Sequence, residues 1–445
     1  MDPNIKIKQI ILMVGDIMLL YGSLGLMLFI RYAERSREVL DLHLGPFTIV
    51  FIGWVMIFYV TGLYDIRALK NDFNFSKRIV VAIVTSALLT ILVFYLIPSF
   101  GIAPKINLFI FLIIFGLTEY LWRSFYNSLI AAGTPPNRIL MVGANETAFA
   151  AAEQIKKNPQ LGYEIAAWLT QGLRDPEWQH IAQIIIAKNI SLIVIPAHIK
   201  KDSRAARAIY KNLALGIEVI DLAELHETIF GKIPIIELEE IWFLENLARR
   251  HQVYETMKRP VELIISVGLL PIFIPLMALI AMLVFFTSGR PIIYKQKRIG
   301  RLGKEFILYK FRTMQKDAEA TGPRWSTADD KRVTAFGRVL RATHLDEIPQ
   351  IWNILRGEVS LVGPRPERPE FTKKLENEIP YYELRHLVRP GITGWAQVNF
   401  RYGWSVEDAI EKLQYDLYYI KNRSITLDLL IILRTIKTFF ATPKE

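Results

Sequence analysis

Two adjacent carboxylates, Asp346 and Glu347, are the residues of this sequence best suited to chemistry. They stand at the start of a segment whose apolar residues recur at helical spacing, and Pro349 fits only the first turn of such a helix. The helix dipole favours negative charge at that end, so we expect both carboxylates to remain ionised. A positioned Asp346 can attack phosphorus and form an acyl phosphate, whereas Glu347 can hold Mg²⁺ or move a proton. Two solvated helix-capping acids are the plain alternative.

Cations surround this pair in the sequence. Lys310 and Arg312 alternate with apolar residues after a predicted strand at 306–309, which places both on one strand face. Arg365 stands between two prolines, where a stiff backbone favours a bidentate phosphate clamp. A glycine-bearing turn further on carries polar groups that could line a pocket, although a solvated face and an ordinary turn are the alternatives. The candidate phosphate-binding or substrate-binding residues are Lys310, Arg312, Arg341, Arg365 and Gln397.

Composition indicates where such chemistry takes place. The chain has 445 residues, enough for two or three domains, and is 52% hydrophobic with a formal net charge of +11. A basic balance is typical of proteins that bind nucleic acid, anionic lipid or phosphorylated ligands. The high apolar content favours a membrane and phosphate, and no nucleic-acid partner is expected. The absence of cysteine excludes disulfides and thiolate metal sites.

Four apolar runs in the first third of the chain predict transmembrane helices, because each is close to the length of about 20 residues that spans the hydrocarbon core. We do not expect a cleavable signal peptide, because the first run is long enough to span and no small-residue cleavage site is evident. Lys6, Lys8 and the basic stretch 67–78 favour a cytosolic location for both ends of this bundle. Asp16 and Glu119 lie within the runs and indicate either a function or helix-to-helix hydrogen bonding. The four runs are Ile10–Ile30, Pro46–Leu63, Ile79–Ile97 and Leu108–Trp122.

A small parallel α/β domain is predicted to follow. Apolar stretches at 138–143, 192–196 and 217–220 are typical of buried strands, with a helix expected from Glu146. Gly143 ends the first strand without the second and third glycines of a dinucleotide-binding fingerprint. A structural, regulatory or oligomerisation role therefore fits this Rossmann-like domain better than a catalytic cofactor site.

The next apolar run, Val261–Phe286, has basic residues on both sides and Pro271 and Pro275 near its middle. Proline within a helix removes a hydrogen bond and produces a kink. These features favour a re-entrant helix that enters the membrane, breaks at Pro275 and returns to the same face. An ordinary kinked fifth span is the alternative, and it would place the basic C-terminal domain outside the cytosol.

The predicted fold is therefore a membrane α-helical bundle plus α/β. It combines four transmembrane helices, a Rossmann-like parallel α/β domain and a C-terminal α/β catalytic domain with a re-entrant membrane helix. The predicted ranges are 1–130 for the transmembrane region, 131–250 for the Rossmann-like domain and 251–445 for the catalytic domain, with the re-entrant helix at 259–288.

The predicted C-terminal domain resembles the bacterial sugar transferases, which are monotopic polyprenyl-phosphate hexose-1-phosphate transferases. The whole chain resembles their long form. Three positions depart from the family pattern: Ile274 precedes Pro275 where serine is frequent, Glu262 replaces a frequent Asp, and Phe400 replaces a frequent Gly. The departures put the details of the helix break and the local pocket shape in question. The matching stretches are Gln296–Gly300, Lys310–Met314, Leu345–Asn353, Gly363–Pro366, Arg389–Asn399 and Tyr415–Tyr419.

The resemblance implies a two-step reaction that begins exopolysaccharide, O-antigen or capsule synthesis. Asp346 would attack the sugar-linked phosphate of a UDP-hexose, release UMP and form a covalent phosphosugar intermediate, which undecaprenyl phosphate would then accept. Glu347 is implied as the Mg²⁺-associated residue, and Arg341 and Arg365 match arginines near phosphate.

The resemblance also implies partners and a location. Glucose and galactose are the leading sugars, and a homodimer is compatible. The expected location is the bacterial inner membrane, in contact with membrane lipids, with several passes and the catalytic domain facing the cytosol. A membrane-anchored regulatory protein with a degenerate site is the main alternative, whereas the missing glycines disfavour a Rossmann oxidoreductase.

Overall fold

A computed structural model shows the chain as two compact units, Met1–Phe230 and Gly231–Glu445. The predicted domain boundaries at 130 and 250 stay predictions. Arg67 and Lys70 belong to the basic stretch 67–78 from which the topology was predicted, and they lie outside the described residues. The structure describes residues 3–440 except 65–70, 72, 98–99, 101–104, 134–135, 172–177, 179, 248–251, 317, 319–329, 331 and 401–404.

The first unit begins with four long helices that cover the four predicted apolar runs. Aromatic side chains form much of their shared core, in which Phe47, Trp54 and Phe111 are at most 1% exposed. Large apolar side chains also point outward, such as Phe109 at 65% exposure, as expected for helices that face lipid. The helices are α1 (Pro3–Tyr32), α2 (Ser36–Val60), α3 (Phe73–Leu96) and α4 (Lys105–Gly133).

A buried ion cluster joins α1 to α4. The Arg123 guanidinium donates to the carboxylates of Asp16 and Glu119 and to the Leu63 carbonyl at 2.7 Å. All three charged side chains are fully buried. Charges in an apolar interior are tolerated when they are paired and hydrogen-bonded. Asp16 therefore bonds α1 to α4, as the helix-to-helix interpretation predicted, whereas Glu119 pairs with Arg123 within α4.

The rest of the first unit contains a parallel sheet with strand order β2-β1-β3-β4, which confirms the predicted parallel α/β arrangement. Sequence analysis missed β2, whose two alanines and glutamate have low strand propensity. Gly143 follows β1 with φ of 81°, a conformation that glycine adopts readily. The strands are β1 (Asn137–Val142), β2 (Tyr163–Leu169), β3 (Leu192–Ile195) and β4 (Glu218–Asp221), and the helices are α5 (Glu146–Lys157), α6 (Ile181–Ala187), α7 (Ala197–Lys200), α8 (Ser203–Asn212) and α9 (Leu222–Phe230).

The second unit contains α10 (Glu240–Leu247) and a single continuous helix, α11 (Gln252–Ser288), which includes Pro271 and Pro275. The predicted break at Pro275 is therefore not marked by a helix end. With α11, five helices among the described residues are long and apolar enough to cross a membrane. The molecule thus has several candidate spans and a parallel sheet, but neither a count of four spans nor the re-entrant path is confirmed.

The strands and helices that follow α11 form the rest of the second unit. An antiparallel hairpin pairs β5 with β6, and β6 includes the predicted strand at 306–309. The small strands β7 and β8 pair in parallel. The elements are β5 (Ile293–Ile299), β6 (Glu305–Phe311), α12 (Ala335–Ala342), a 3-10 turn (Leu345–Gln350), α13 (Ile351–Arg356), β7 (Ser360–Val362), α14 (Pro369–Glu378), a 3-10 turn (Tyr382–Leu387), β8 (Gly391–Thr393), α15 (Trp395–Asn399), α16 (Val406–Asn422) and α17 (Ile425–Phe440).

Polar contacts attach the N-terminal half of α11 to the elements around β7. Arg259 donates to the carbonyls of Ile354 and, at 2.8 Å, Leu355, so it satisfies the C-terminal end of α13. Glu262 is 4% exposed and accepts a hydrogen bond from the Leu361 backbone at 3.1 Å. The carboxylate at this position, where the family pattern often has Asp, therefore binds the helix to the strand.

The C-terminal half of α11 also packs on this unit. Arg312 donates to the carbonyls of Ser288 and Gly289, at 2.9 Å for the latter, where the helix ends. This cation lies at the negative end of the helix dipole and satisfies free carbonyl groups. The apolar cluster beside it consists of Ile280, Val284, Phe311 and Leu340.

Gly391→Ala is expected to destabilise the second unit. An added Cβ at Gly391 would lie 2.0 Å from the Gly363 backbone nitrogen, which cannot move without breaking the β7–β8 pairing. We expect the free energy of unfolding to fall by about 1–3 kcal/mol or more. The measurement is thermal unfolding in detergent. Gly268→Ala in α11 is the control, because its Cβ would meet nothing within 4 Å, and equal melting temperatures for the two variants would contradict the prediction.

Candidate active site

The Asp346–Glu347 pair lies in the 3-10 turn that precedes α13, near the predicted helix start. The chain enters this turn through His344, which adopts the left-handed φ of 52°. Such a conformation is uncommon for a residue other than glycine. Within α13, Trp352 is 46% exposed whereas the polar Asn353 is fully buried.

Glu347 is held by two cations at one oxygen atom. Its Oε1 accepts from Lys310 Nζ at 2.6 Å and from Arg365 Nη2 at 2.7 Å. Burial alone would raise the pKa of Glu347, but the charges and hydrogen bonds of Arg365 and Lys310 outweigh it and hold the pKa well below its usual range. Burial lowers the pKa of Lys310, and Glu347 opposes that effect. Glu347 is therefore a fixed anion, and its Oε2 forms no hydrogen bond with the described residues.

Asp346 has a contrasting environment although it is the adjacent residue. Its side chain is 7% exposed, and it forms no side-chain hydrogen bond with any residue that the structure describes. Burial raises its pKa and the charge of Glu347 adds to that effect, whereas the cations Lys310, Arg341 and Arg365 oppose it. Burial thus works against the helix dipole that the sequence analysis invoked for this residue. The result is a carboxylate with free oxygen atoms in a cationic surrounding.

Buried groups hold the two cations in place from behind. Asn353 accepts from the Tyr309 backbone at 3.2 Å and donates to the Ile307 carbonyl at 2.7 Å, which ties α13 to the strand that carries Lys310. Lys310 directly follows Tyr309 in β6. The hydrogen bonds of Asn353 therefore also fix the distance between Lys310 and Glu347. No role is predicted for Asn353 from the sequence, although a polar residue within an apolar segment is a usable signal.

The loop that carries Arg365 is held by two further arginines. Arg385 donates to the Arg365 carbonyl at 3.0 Å and pairs with buried Asp416 at 2.9 Å. Arg298 donates to the Pro366 carbonyl at 2.9 Å. Arg385 is not predictable from the sequence, since its partner Asp416 is 31 residues away and no local pattern connects the two.

The other candidate residues are placed as follows. Arg341 donates to the Thr313 hydroxyl at 2.9 Å, and its charge acts on Asp346. Arg312 lies at the end of α11, as described above, and its Nε and Nη1 have no hydrogen-bond partner among the described residues. Gln397 donates to the Ile392 carbonyl at 3.1 Å. The structure thus brings Lys310, Arg341 and Arg365 to the carboxylate pair, but shows no contact of Arg312 or Gln397 with it.

A divalent cation at this site would depend on few protein ligands. The described residues contain no group of three or more His, Asp or Glu side chains that could hold a metal ion. Mg²⁺ is commonly bound by one or two carboxylates with substrate phosphates and water. The free Oε2 of Glu347 and the neighbouring Asp346 are hard oxygen donors of that kind, so the residues present fit Mg²⁺.

Comparison with known proteins gives consistent matches. Residues 253–442 match the family model described as bacterial sugar transferase. The UDP-N-acetylgalactosamine-undecaprenyl-phosphate N-acetylgalactosaminephosphotransferase of Aeromonas hydrophila is 40% identical over 222 residues, which are 50% of this chain and 52% of the relative. The chain therefore spans about half the length of that relative.

Two further relatives match over more of their length. The UDP-glucose:undecaprenyl-phosphate glucose-1-phosphate transferase of Xanthomonas campestris pv. campestris is 32% identical over 340 residues, 71% of this chain and 69% of the relative. The Klebsiella pneumoniae protein of the same name is 28% identical over 448 residues, 92% of this chain and 94% of the relative. The similarity to these two thus extends well beyond the C-terminal region.

Lys310→Met is expected to reduce the loss of stability in acid. Because the pKa of Glu347 is lower in the folded than in the unfolded chain, its stabilising effect is present above the ordinary value of 4.5 and is lost as the pH falls below it. Without Lys310 the folded pKa of Glu347 rises, so less stability is lost. The measurement is the difference in melting temperature between about pH 7 and about pH 4. Lys373→Met, on exposed α14, is the control, and an unchanged difference in Lys310→Met would contradict the assignment.

Proposed function

The chain belongs to the bacterial sugar transferase family, and we propose that it transfers a sugar 1-phosphate from a UDP-hexose to undecaprenyl phosphate and releases UMP. The printed names of the relatives support transfer of a sugar 1-phosphate to undecaprenyl phosphate. One observation carries the residue assignment. Of two adjacent carboxylates, the half-buried Glu347 is fixed by two cations, whereas the buried Asp346 forms no side-chain hydrogen bond with the described residues.

In the first step, an Asp346 carboxylate oxygen bonds to the phosphorus that carries the sugar. The bond from that phosphorus to the bridging diphosphate oxygen breaks, and UMP leaves with that oxygen. The product is an acyl phosphate on Asp346, so one difficult transfer is divided into two easier ones. Among the described residues Asp346 has no hydrogen-bond partner, which supports this role, since no bond to one of those side chains must be broken before attack.

In the second step, a phosphate oxygen of undecaprenyl phosphate bonds to the same phosphorus. The acyl phosphate bond breaks and returns the Asp346 carboxylate, and the lipid carries the new diphosphate. Lys310, Arg341 and Arg365 surround the reacting position and would stabilise the negative charge that collects on the phosphoryl oxygens. Glu347 holds two of these cations in position and so acts as their orienting group.

Mg²⁺ is part of the proposal. Glu347 would hold the ion through Oε2, together with phosphate oxygens of the donor. The ion would supply additional positive charge for the diphosphate. Lys310 and Arg365 occupy the other carboxylate oxygen and would keep Glu347 deprotonated for that purpose.

We further propose that the catalytic unit faces the cytosol of the inner membrane and that α11 is re-entrant. A straight helix from Arg259 to Ser288 would be about 44 Å long, more than the hydrocarbon thickness of about 30 Å. A straight crossing would leave these residues on opposite faces of the membrane. Both of them nevertheless bond to the same compact unit.

A short path of contacts connects the partner of Arg259 to the partner of Ser288. Arg259 bonds at Ile354, and the adjacent Asn353 bonds to Tyr309. Arg312, the partner of the other end, is only three residues beyond Tyr309, which is about 10 Å along extended chain. This short path supports a bent α11, for which the internal prolines provide the cause.

Sugar identity, pathway and assembly state belong to the same proposal. The relatives are named for glucose 1-phosphate and for N-acetylgalactosamine phosphate transfer, whereas the sequence resemblance indicated glucose or galactose. All three UDP-sugars should therefore be compared as donors. We propose that the product enters exopolysaccharide, O-antigen or capsule synthesis, and the homodimer stays a prediction.

Asp346→Asn is expected to abolish both turnover and the covalent adduct, because an amide oxygen is a poor nucleophile. Turnover should fall by at least about 10³-fold, while thermal stability is retained. The assay incubates the full chain with UDP-[¹⁴C]sugars, measures UMP release with undecaprenyl phosphate present, and detects labelled protein without it. Glu378→Gln, an acid removed from exposed α14, is the control. Near-normal turnover in Asp346→Asn would remove Asp346 from the nucleophile role, and a wild-type chain inactive with every donor would favour a degenerate regulatory protein.

The topology is testable with single cysteines, since the chain has none of its own. Val253→Cys and Thr287→Cys lie near the two ends of α11, and both positions are exposed. We expect a membrane-impermeant maleimide to label both only in inside-out vesicles. Glu34→Cys, between α1 and α2, is the opposite-side control and should react only in intact spheroplasts. Labelling of the two α11 positions from different sides would show a fifth span.

A further inference from the structure

We propose that a second cationic cavity, separate from the carboxylate pair, binds the phosphate group of a membrane lipid. The cavity is partly open to solvent, and neither Asp346 nor Glu347 lines it. Tyrosines from α11 and α16 contribute to its walls. The cations that line it are Lys258, Arg301, Arg389 and Arg423.

Two of these cations are already neutralised. Lys258 pairs with Asp428 at 3.1 Å and lies 3.9 Å from a Glu262 carboxylate oxygen, and Arg423 pairs with Glu255 at 3.0 Å. Each of these acids forms an ion pair with one cation of the cavity. Their charges therefore do not compensate the other two arginines.

Arg301 and Arg389 provide the surplus charge. Neither side chain forms a hydrogen bond or an ion pair with any residue that the structure describes, although both line the same cavity. Arg301 is exposed in the turn between β5 and β6, and Arg389 is half-buried just before β8. Two unpaired guanidinium groups match a phosphate monoester, which carries close to two negative charges and offers oxygen atoms for bidentate bonding.

The walls of the cavity are built before any ligand arrives. Lys258 Nζ donates to the Val362 carbonyl at 2.8 Å and to the Tyr419 hydroxyl at 2.8 Å. Tyr419 also bonds to Tyr254 at 2.9 Å. This buried network holds the first turns of α11 against α16, so an arriving anion would meet fixed side chains.

The apolar surroundings favour a lipid over a soluble ligand. The cavity includes the first turns of α11 and Arg423, which lies two residues before α17. Beyond it, α11 exposes Met257 at 48% and Ile264 at 72%, and α17 exposes Leu429 at 50%. A phosphate bound between the two helix starts would have acyl or polyprenyl chains directed along these apolar faces. Cations at such a position attract anionic headgroups.

The test is calorimetric titration of the purified full chain in an uncharged maltoside detergent. Dihexanoyl phosphatidic acid supplies a lipid phosphate monoester, dihexanoyl phosphatidylcholine lacks the net charge, and inorganic pyrophosphate is the soluble anion. We expect phosphatidic acid to bind more tightly than the other two. Arg301→Gln and Arg389→Gln should each weaken its binding by about tenfold or more, with melting temperatures close to that of the wild type.

Two variants make the result specific. Lys373→Gln removes one positive charge from exposed α14 and should bind phosphatidic acid as the wild type does. Asp346→Asn should also bind normally, because this cavity does not depend on the proposed transfer reaction. Unchanged binding in both arginine variants would overturn the site. Arginine-dependent binding of pyrophosphate without binding of phosphatidic acid would overturn the lipid assignment in favour of a soluble ligand.

Discussion

The pairing of one Glu347 oxygen with both Lys310 and Arg365 is the interaction on which the candidate active site depends. A buried carboxylate is costly unless it is paired, and so is each buried cation. Two cations on one anion leave a net positive charge beside Asp346. That surplus is suited to a phosphate group. The same arrangement explains why two adjacent acids have such different environments.

Distant parts of the second unit maintain this pairing. Lys310 is carried by β6, which Asn353 ties to α13, whereas Arg365 is carried by a loop that Arg385 and Arg298 hold through backbone carbonyls. The supporting groups bond mainly to backbone atoms, whose positions vary less than those of side chains. A site of this kind resists small displacements, and displacements of about 1 Å are sufficient to slow a reaction considerably.

The membrane-associated parts of both units tolerate charge in the same way. Arg123 in the first unit and Arg259 in the second each lie among apolar helices, and each has carboxylates or helix-end carbonyls as partners. The outward faces of α11 remain apolar, whereas its inward face carries Glu262 and Lys258 to the catalytic elements. One helix can therefore contact lipid and also hold a polar site at its base.

The sequence by itself determined the four apolar helices, the parallel α/β region, the strand before Lys310 and the carboxylate pair at a helix start. Each of these is a local pattern of spacing or composition, which is physical information that a short segment contains. The sequence could not reveal β2, because the strand conformation of β2 depends on pairing with β1 rather than on its own strand propensity.

Only the tertiary structure decided which cation serves which acid. Arg365 and Lys310 reach Glu347 across 18 and 37 residues of sequence, whereas Arg312, equally promising as a cation, turns to the end of α11. Arg385 and Asn353 became significant only through partners in other elements. Electrostatic pairing depends on the distance between charges in space, and the order of charged residues along the chain does not specify that distance.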